Sequence, residues 1–244
     1  MMAFAWTAGI AQARDVNVAI GLSLSPYVIP EENRGMEFDI AKQALALEGH
    51  VMLPHYGPLG RLLKELEAGQ TDAALTQRME TGIKSASYSD VYITYRNYAI
   101  TLASRDLKID RLADLTGKSI LAFQRAATYL GPDFKAIADA NPTYREESRQ
   151  IIQPTMLFHD RIDVVIADRN IFAWFSRLPE VTAKTDTTQP IRLHALFPPT
   201  EYRVAFRDPD LRDAFNRGLG KLRASGEYDR IVARYAPLMA GEGK

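Results

Sequence analysis

Short apolar strands alternate with amphipathic helices along most of this chain, and no other feature of the sequence limits its fold as strongly. Residues 16–22 are rich in Val and Ile, which is typical of a strand. Apolar residues recur at helical spacing from Phe38 to Leu47, and Gly49 stands where a left-handed residue commonly ends a helix. The same order of strand and helix returns over residues 50–75. This alternation predicts an α/β fold with mainly parallel sheets flanked by helices.

Two extended stretches, residues 92–103 and 202–206, interrupt this alternation. Strands and helices begin again between them, so these stretches are suited to carry the chain out to a second lobe and back. We predict a first lobe of residues 14–101 and 197–244 and a second lobe of residues 102–196, and a chain of 244 residues is long enough for both. The apolar positions from Asp210 to Tyr235 predict a helical segment that packs on the first lobe.

The charge balance and the lack of cysteine exclude several classes of function. Lys and Arg number 30, as do Asp and Glu, so there is no net positive charge to attract a nucleic acid. Without cysteine there is no disulfide, no thiolate metal site and no lipid-bearing cysteine. The histidines have no metal-ligand spacing, and the sequence has no phosphate-loop or dinucleotide motif. We therefore expect no cofactor and no metal.

The first residues of the chain differ in composition from the rest of it. Residues 1–11 are apolar and uncharged, and Ala11 and Ala13 give the small-x-small pattern of a signal-peptidase site. We interpret residues 1–13 as the remnant of a signal peptide, so that the mature protein begins near Arg14 and is exported to the periplasm without a lipid anchor. The alternative is a buried N-terminal strand or helix.

Six short motifs occur in an order that resembles the periplasmic solute-binding proteins of amino-acid ABC importers. They are GMEFDIA (35–41), LEAGQTDAA (66–74), YSDVY (88–92), LADLTGK (112–118), DRIDVVIAD (160–168), and DPDL followed by GEY (208–228). The resemblance implies a two-lobed fold of the type II periplasmic-binding-protein kind, joined by two hinge strands that close on a ligand. It also implies a monomer that hands an amino acid or related amine to the membrane subunits of the importer.

The resemblance further implies a two-part clamp on the ligand. In this family an Asp of the second lobe receives the ligand ammonium group, and Asp168 matches it, although Asp168 could also cap a helix. An Arg of the first lobe holds the ligand carboxylate in a Thr-x-x-Arg motif. One register places Thr81 and Lys84 at this motif, whereas another places Gly82 at the Arg position. Lys84 is then either a carboxylate ligand or a solvated residue.

A helix start in the second lobe contributes to the same clamp in the family. The matching residues include Arg125, Ala126 and Thr128, without the usual glycine. Backbone amides of Ala126 and Thr128 can still bind an anion at a helix N-terminus. Arg125 either adds its charge to that anion or forms a surface ion pair.

Three polar residues and one aromatic complete the predicted site. Arg78 is a candidate cleft cation, with Thr76 and Gln77 beside it as polar contacts. Tyr27 is either the floor of the pocket or a core aromatic residue.

These observations favour a binding protein that does no chemistry on its ligand. We expect a small zwitterion with an atypical carboxylate contact, and a cationic amine without carboxylate is the alternative. A periplasmic enzyme resembling the cyclohexadienyl dehydratases and a receptor for a signalling partner are the alternatives from other classes. No nucleophile elbow or other catalytic motif supports the enzyme.

Overall fold

Strands and helices alternate through the computed structural model, which describes residues 13–80 and 82–239. The strands are β1 (Asp15–Gly21), β2 (Val51–Gly57), β3 (Ala73–Gln77), β4 (Ser87–Tyr88), β5 (Ile93–Tyr95), β6 (Asn97–Leu102), β7 (Ile120–Phe123), β8 (Tyr144–Glu147), β9 (Val164–Asp168), β10 (Ile191–His194) and β11 (Thr200–Phe206). The helices are α1 (Met36–Ala46), α2 (Leu59–Glu67), α3 (Ala126–Tyr129), α4 (Pro132–Ala140), α5 (Ile152–Phe158), α6 (Arg169–Ser176), α7 (Pro179–Thr182), α8 (Pro209–Ala224) and α9 (Glu227–Tyr235).

The strands form two mixed sheets. The first has the order β2-β1-β3-β11-β4, with β5 also paired to β11, and the second has the order β10-β6-β9-β7-β8. In the first sheet β1 is parallel to β2 and β3, while β11 is antiparallel to β3, β4 and β5. In the second, β7 is parallel to β8 and β9, while β6 is antiparallel to β9 and β10. The α/β class is confirmed. The sheets are mixed rather than mainly parallel, because β6 and β11 are antiparallel to the strands beside them.

The chain crosses between the sheets at Arg96 and again between His194 and Thr200. We call the part built on the first sheet the first lobe, and the segment from Asn97 to His194 the second lobe. The stretch predicted as one extended run over residues 92–103 contains two strands, β5 and β6, one in each sheet. The second sheet therefore begins before residue 102, where the second lobe was predicted to start. The predicted signal peptide lies outside the described residues except for Ala13.

Apolar side chains are buried on both faces of each sheet. On the first sheet, α8 buries Phe215 fully on one face and α2 buries Leu62 on the other. On the second, Phe134 from α4 and Phe172 from α6 lie in separate clusters. Burying a side chain of this size contributes about 1.5–3 kcal/mol. The helices are therefore held by packing against the sheets, which fixes the strand ends where the lobes meet.

Glycines with positive φ and an aspartate cap mark several helix ends. Gly49 and Gly69 adopt positive φ after α1 and α2 (84° and 77°). The Asp208 side chain accepts a hydrogen bond from the Asp210 amide (2.9 Å) and caps α8. The C-terminal segment is two helices rather than one, because Gly226 has φ 72° and separates α8 from α9. Within residues 13–80 and 82–239, no helix combines the length and apolar character needed to cross a bilayer.

Candidate functional site in the cleft between the lobes

Two adjoining cavities lie where the lobes meet. The outer cavity has a volume of about 320 Å³ and the inner cavity about 30 Å³. Both are lined by Leu24 and Thr76 from the first lobe and by Phe123 and Gln150 from the second. A ligand held here would contact both lobes at once, which is how a hinged cleft retains a small molecule.

Asp168 lies at the inner end of this cleft, as the last residue of β9 and the N-cap of α6. Its Oδ1 accepts hydrogen bonds from the amides of Asn170 (2.8 Å) and Ile171 (3.2 Å). Its Oδ2 accepts from the amide of Arg96 (2.8 Å) and the hydroxyl of Tyr27 (3.2 Å). Burial raises the pKa of Asp168 to about 6, although these hydrogen bonds favour the ionised form. Asp168 caps a helix and lines the inner cavity, so both roles considered for it fit this geometry, and contact with a ligand stays a prediction.

Tyrosine rings form much of the inner wall. Tyr95, Tyr129 and Tyr202 line the inner cavity, and Tyr27 stacks on Tyr95 with ring centroids 3.9 Å apart. Tyr202 meets Tyr95 edge to face at 4.9 Å. Burial raises the pKa of the hydroxyls of Tyr27, Tyr95 and Tyr202 well above the usual value, so these groups stay neutral. Tyr27 supports a lining ring and binds Asp168, and neutral ring faces of this kind attract cations.

A second buried carboxylate, Glu37, holds two of the lining residues in place. It lies in the first turn of α1 and is fully buried. It accepts hydrogen bonds from the hydroxyls of Thr76 (2.7 Å), Tyr92 and Tyr95. Burial raises the pKa of Glu37, and these hydroxyls oppose that shift. Thr76, which has φ 58°, and Tyr95 are thereby positioned for the cleft, while Glu37 itself lies behind the wall.

The helix start predicted to hold the ligand carboxylate is occupied by a carboxylate of the protein. The amides of Arg125 (2.7 Å) and Ala127 (2.9 Å) donate to Glu146 of β8. The amide of Thr128 donates to the carbonyl of Arg125, and Ala126 is buried in the core of the second lobe. The guanidinium of Arg125 lies 5.3 Å from the centroid of the Tyr129 ring. Neither cavity is lined by Arg125, Ala126, Ala127, Thr128 or Glu146, whereas Tyr129 lines the inner one.

The first-lobe residues predicted as polar contacts divide into those at the cleft and those away from it. Thr76 lines both cavities. Arg78 donates from Nη1 to the carbonyl of Tyr129, so it bridges the lobes, and its Nε lies 3.4 Å from Glu80. Gln77 is buried and donates to the carbonyl of Leu75 (2.7 Å).

The structure does not bring the predicted carboxylate clamp to the cleft. Lys84 is exposed in a turn and is not part of the lining of the two cavities. Thr81 lies outside the described residues. Neither register of the clamp therefore places a first-lobe cation at the cavities.

Arg149 and Gln150 are among the second-lobe residues at the cleft that sequence reasoning did not identify. Arg149 lines the outer cavity, and Gln150 lines both cavities. Gln150 also spans the lobes, because its Nε2 donates to the carbonyl of Ser23 (2.7 Å) and its amide to the hydroxyl of Ser23 (3.2 Å). Both residues come after β8, an exposed strand without apolar periodicity, so no pattern in the sequence predicts where they lie.

Outside the cleft, a cavity of about 470 Å³ is lined by first-lobe residues that include Arg14 and Asp208. These two residues form an ion pair with each other (2.7 Å). No group of three potential metal ligands occurs among the residues that the structure describes.

Sequence comparison matches residues 16–237 to the model of the bacterial extracellular solute-binding proteins, family 3. No curated protein matches the chain by sequence.

Several solved structures share the fold. An ancestral arginine-binding protein bound to glutamine is 20% identical, with a TM-score of 0.74 over 91% of this chain and 97% of that chain. An amino acid ABC transporter substrate-binding protein from Streptococcus pneumoniae bound to L-arginine is 18% identical, with a TM-score of 0.71 over 92% and 95%. A histidine kinase sensor domain with similarity to periplasmic binding proteins is 15% identical, with a TM-score of 0.76 over 92% and 96%. At these identities the likeness establishes the two-lobed fold.

Proposed function

Because the chain belongs to the bacterial extracellular solute-binding proteins of family 3, we propose that it captures a small zwitterionic, amino-acid-like solute in its cleft and delivers it to an ABC importer. In this proposal the protein acts as a monomer in the periplasm and does not change the solute chemically. The membrane subunits of the importer are its partner.

The observation that carries the proposal is the buried carboxylate of Asp168 at the inner end of a cleft lined by both lobes. A carboxylate that is 1% exposed loses most of its hydration, and the four hydrogen bonds that it accepts from the protein do not remove its negative charge, so a cationic nitrogen beside it is favoured. The rings of Tyr95, Tyr129 and Tyr202 add further attraction for a cation. The solute is therefore expected to place its ammonium group at Asp168.

Calorimetric titration after a thermal-shift screen of amino acids, amines and dicarboxylates tests this function. A zwitterion should raise the melting temperature, because it binds the folded state alone. Asp168→Asn keeps the shape and removes the charge, so it should weaken binding by about 2–5 kcal/mol. Asp163→Asn is the matched control, since Asp163 pairs with Arg105 (2.8 Å) away from the cavities. Zwitterion binding that is unchanged in Asp168→Asn would contradict the ammonium role.

A second candidate is a receptor that signals when the cleft closes. The fold shared with the histidine kinase sensor domain supports it, although at 15% identity that likeness concerns the fold alone. Uptake of labelled ligand by vesicles containing the cognate membrane subunits supports the importer, and its absence with a saturated, closed protein supports the receptor. Recovery of the ligand unchanged after prolonged incubation counts against an enzyme.

A further inference from the structure

Arg149 is a cationic residue that lines the outer cavity, and the proposed function does not yet use it. Its side chain is exposed, and none of the ion pairs among the described residues includes it. The apolar side chains of Leu22, Leu24, Pro58 and Phe123 make up much of the surrounding wall. A guanidinium beside such a wall can form two parallel hydrogen bonds to a carboxylate without first breaking an ion pair.

The backbone that carries Arg149 is fixed across the cleft. The amide of Arg149 donates to the Glu147 side chain (2.9 Å). The next residue, Gln150, is bound to Ser23 of the first lobe through its amide and its side chain. Arg149 is therefore placed where the two lobes meet, beside the outer cavity.

The two ends of the cleft carry opposite charges. Asp168 lines the inner cavity and Arg149 lines the outer one, and neither lines both. Leu24 and Phe123 line both cavities and form an apolar link between them. The other groups expected to hold a carboxylate do not line the cavities. Lys84 is exposed in a turn, and the amides of α3 bind Glu146. Arg78 and Arg125 line neither cavity, because Arg78 is bound to the carbonyl of Tyr129 and Arg125 lies over its ring.

Given the proposed binding of a zwitterion with its ammonium group at Asp168, we infer that Arg149 binds the ligand carboxylate at the mouth of the cleft. The preferred ligands are zwitterions whose cationic nitrogen and carboxylate lie at opposite ends of an apolar chain, as in an ω-amino acid. In an α-amino acid the ammonium and carboxylate groups are bonded to the same carbon atom, so such a molecule spans the two cavities less well. Arg149 thus determines specificity at the outer end.

Calorimetric titrations with three probes test this inference. The probes are ω-aminopentanoate, alanine, and pentylamine, which has the same chain length as the first and no carboxylate. The wild-type protein should bind ω-aminopentanoate most tightly. Arg149→Met should weaken that binding about tenfold or more and leave pentylamine binding unchanged. Arg149→Lys should have an intermediate effect, since Lys keeps the charge but not the planar fork.

Arg161→Met is the matched control, because Arg161 is also exposed in the second lobe and lines neither cavity. It should leave all three affinities unchanged, and circular dichroism should show that each variant is folded. Tighter binding of alanine that is insensitive to Arg149→Met overturns the inference but leaves the proposed function intact. Equal affinity for pentylamine and ω-aminopentanoate overturns the role of Arg149. Failure of every zwitterion in the screen to bind overturns the proposed function as well.

Discussion

At the scale of single residues, Asp168 combines a structural contact with a place in the cleft. It caps α6 through the amides of Asn170 and Ile171, and it lines the inner cavity with the same carboxyl group. Burial raises its pKa from 3.8 to about 6, so the ionised form is less favoured in the folded protein than in the unfolded chain. Burial of the ionised carboxylate therefore destabilises the fold, and a cationic ligand beside Asp168 would reduce this destabilisation.

Removing this carboxyl group should change how stability depends on pH. The folded pKa of Asp168 lies above the unfolded value, so its protonation stabilises the fold below about pH 4, and this contribution is lost as pH rises through about 6. Asparagine does not titrate. The free energy of unfolding of the wild-type protein minus that of Asp168→Asn should therefore fall by on the order of 3 kcal/mol between pH 4 and 7. Urea unfolding at several pH values, without ligand, measures it.

Asp208→Asn is a control for which we expect the opposite dependence of stability on pH. Burial acts to raise the pKa of Asp208, but hydrogen bonds from the amide of Asp210 and from Arg14 outweigh it and lower that pKa. Asp208 thus stabilises the fold at neutral pH, and this contribution is lost as pH falls through its folded pKa. The free energy of unfolding of the wild-type protein minus that of Asp208→Asn should therefore rise with pH. A flat curve for Asp168→Asn would show that burial does not shift the Asp168 pKa.

At the scale of elements, the sequence predicts the strands and helices that bury one face and fails for those that do not. β1 and α8 carry apolar periodicity and lie in segments that were predicted as strand and helix. β8 and β10 were not predicted, because they are the edge strands of the second sheet and most of their side chains are exposed. Asp168 ends a buried strand and could be predicted as a site residue. Arg149 could not, because contacts of its neighbour Gln150 with Ser23 place it.

The contact between α1 and α8 depends on a glycine. A Cβ atom on Gly218 would lie 1.9 Å from the carbonyl oxygen of Ala44, and a backbone atom cannot move aside cheaply. Gly218→Ala should therefore lower the free energy of unfolding by about 1–3 kcal/mol or more. Gly220, in the same helix, has no atom within 4 Å of its added Cβ. Gly220→Ala should raise stability by about 0.5–1 kcal/mol through helix propensity.

Urea unfolding of the two variants beside the wild type gives both values. We expect Gly218→Ala to lower the free energy of unfolding and Gly220→Ala to raise it. Equal stabilisation by both substitutions would mean that α1 and α8 do not approach as closely as the structure shows.

At the scale of the whole molecule, hydrogen bonds across the cleft hold the lobes together. Asn170 donates to the hydroxyl of Tyr27 (2.8 Å), and Gln150 donates to Ser23 (2.7 Å). Each such bond contributes about 1 kcal/mol, which corresponds to about a fivefold change in the ratio of closed to open molecules. Apolar contacts join the lobes as well, since Ile171 and Phe175 of the second lobe pack in the core cluster of the first.

Gln150→Ala should shift the protein towards the open form by about fivefold and increase the radius of gyration in small-angle scattering. Gln189→Ala is the control, because the Gln189 side chain bonds to the carbonyls of Phe158 and Asp186 within the second lobe. Saturating ligand should restore the compact form of Gln150→Ala. Identical scattering from both variants and the wild type would mean that the Gln150 contacts do not favour the closed cleft.

The placement of β11 between β3 and β4 also determines which lobe can fold first during translation. The five strands of the second sheet come from one uninterrupted stretch, Asn97 to His194, which leaves the ribosome before β11 is made. The second lobe can therefore fold while translation continues, as contiguous units commonly do. The first lobe lacks its fourth strand until Phe206 has emerged, and α8, which packs on α1, emerges later still. Nascent chains that end before Phe206 carry an incomplete first sheet with an unpaired edge at β3, the segment that a chaperone would find accessible.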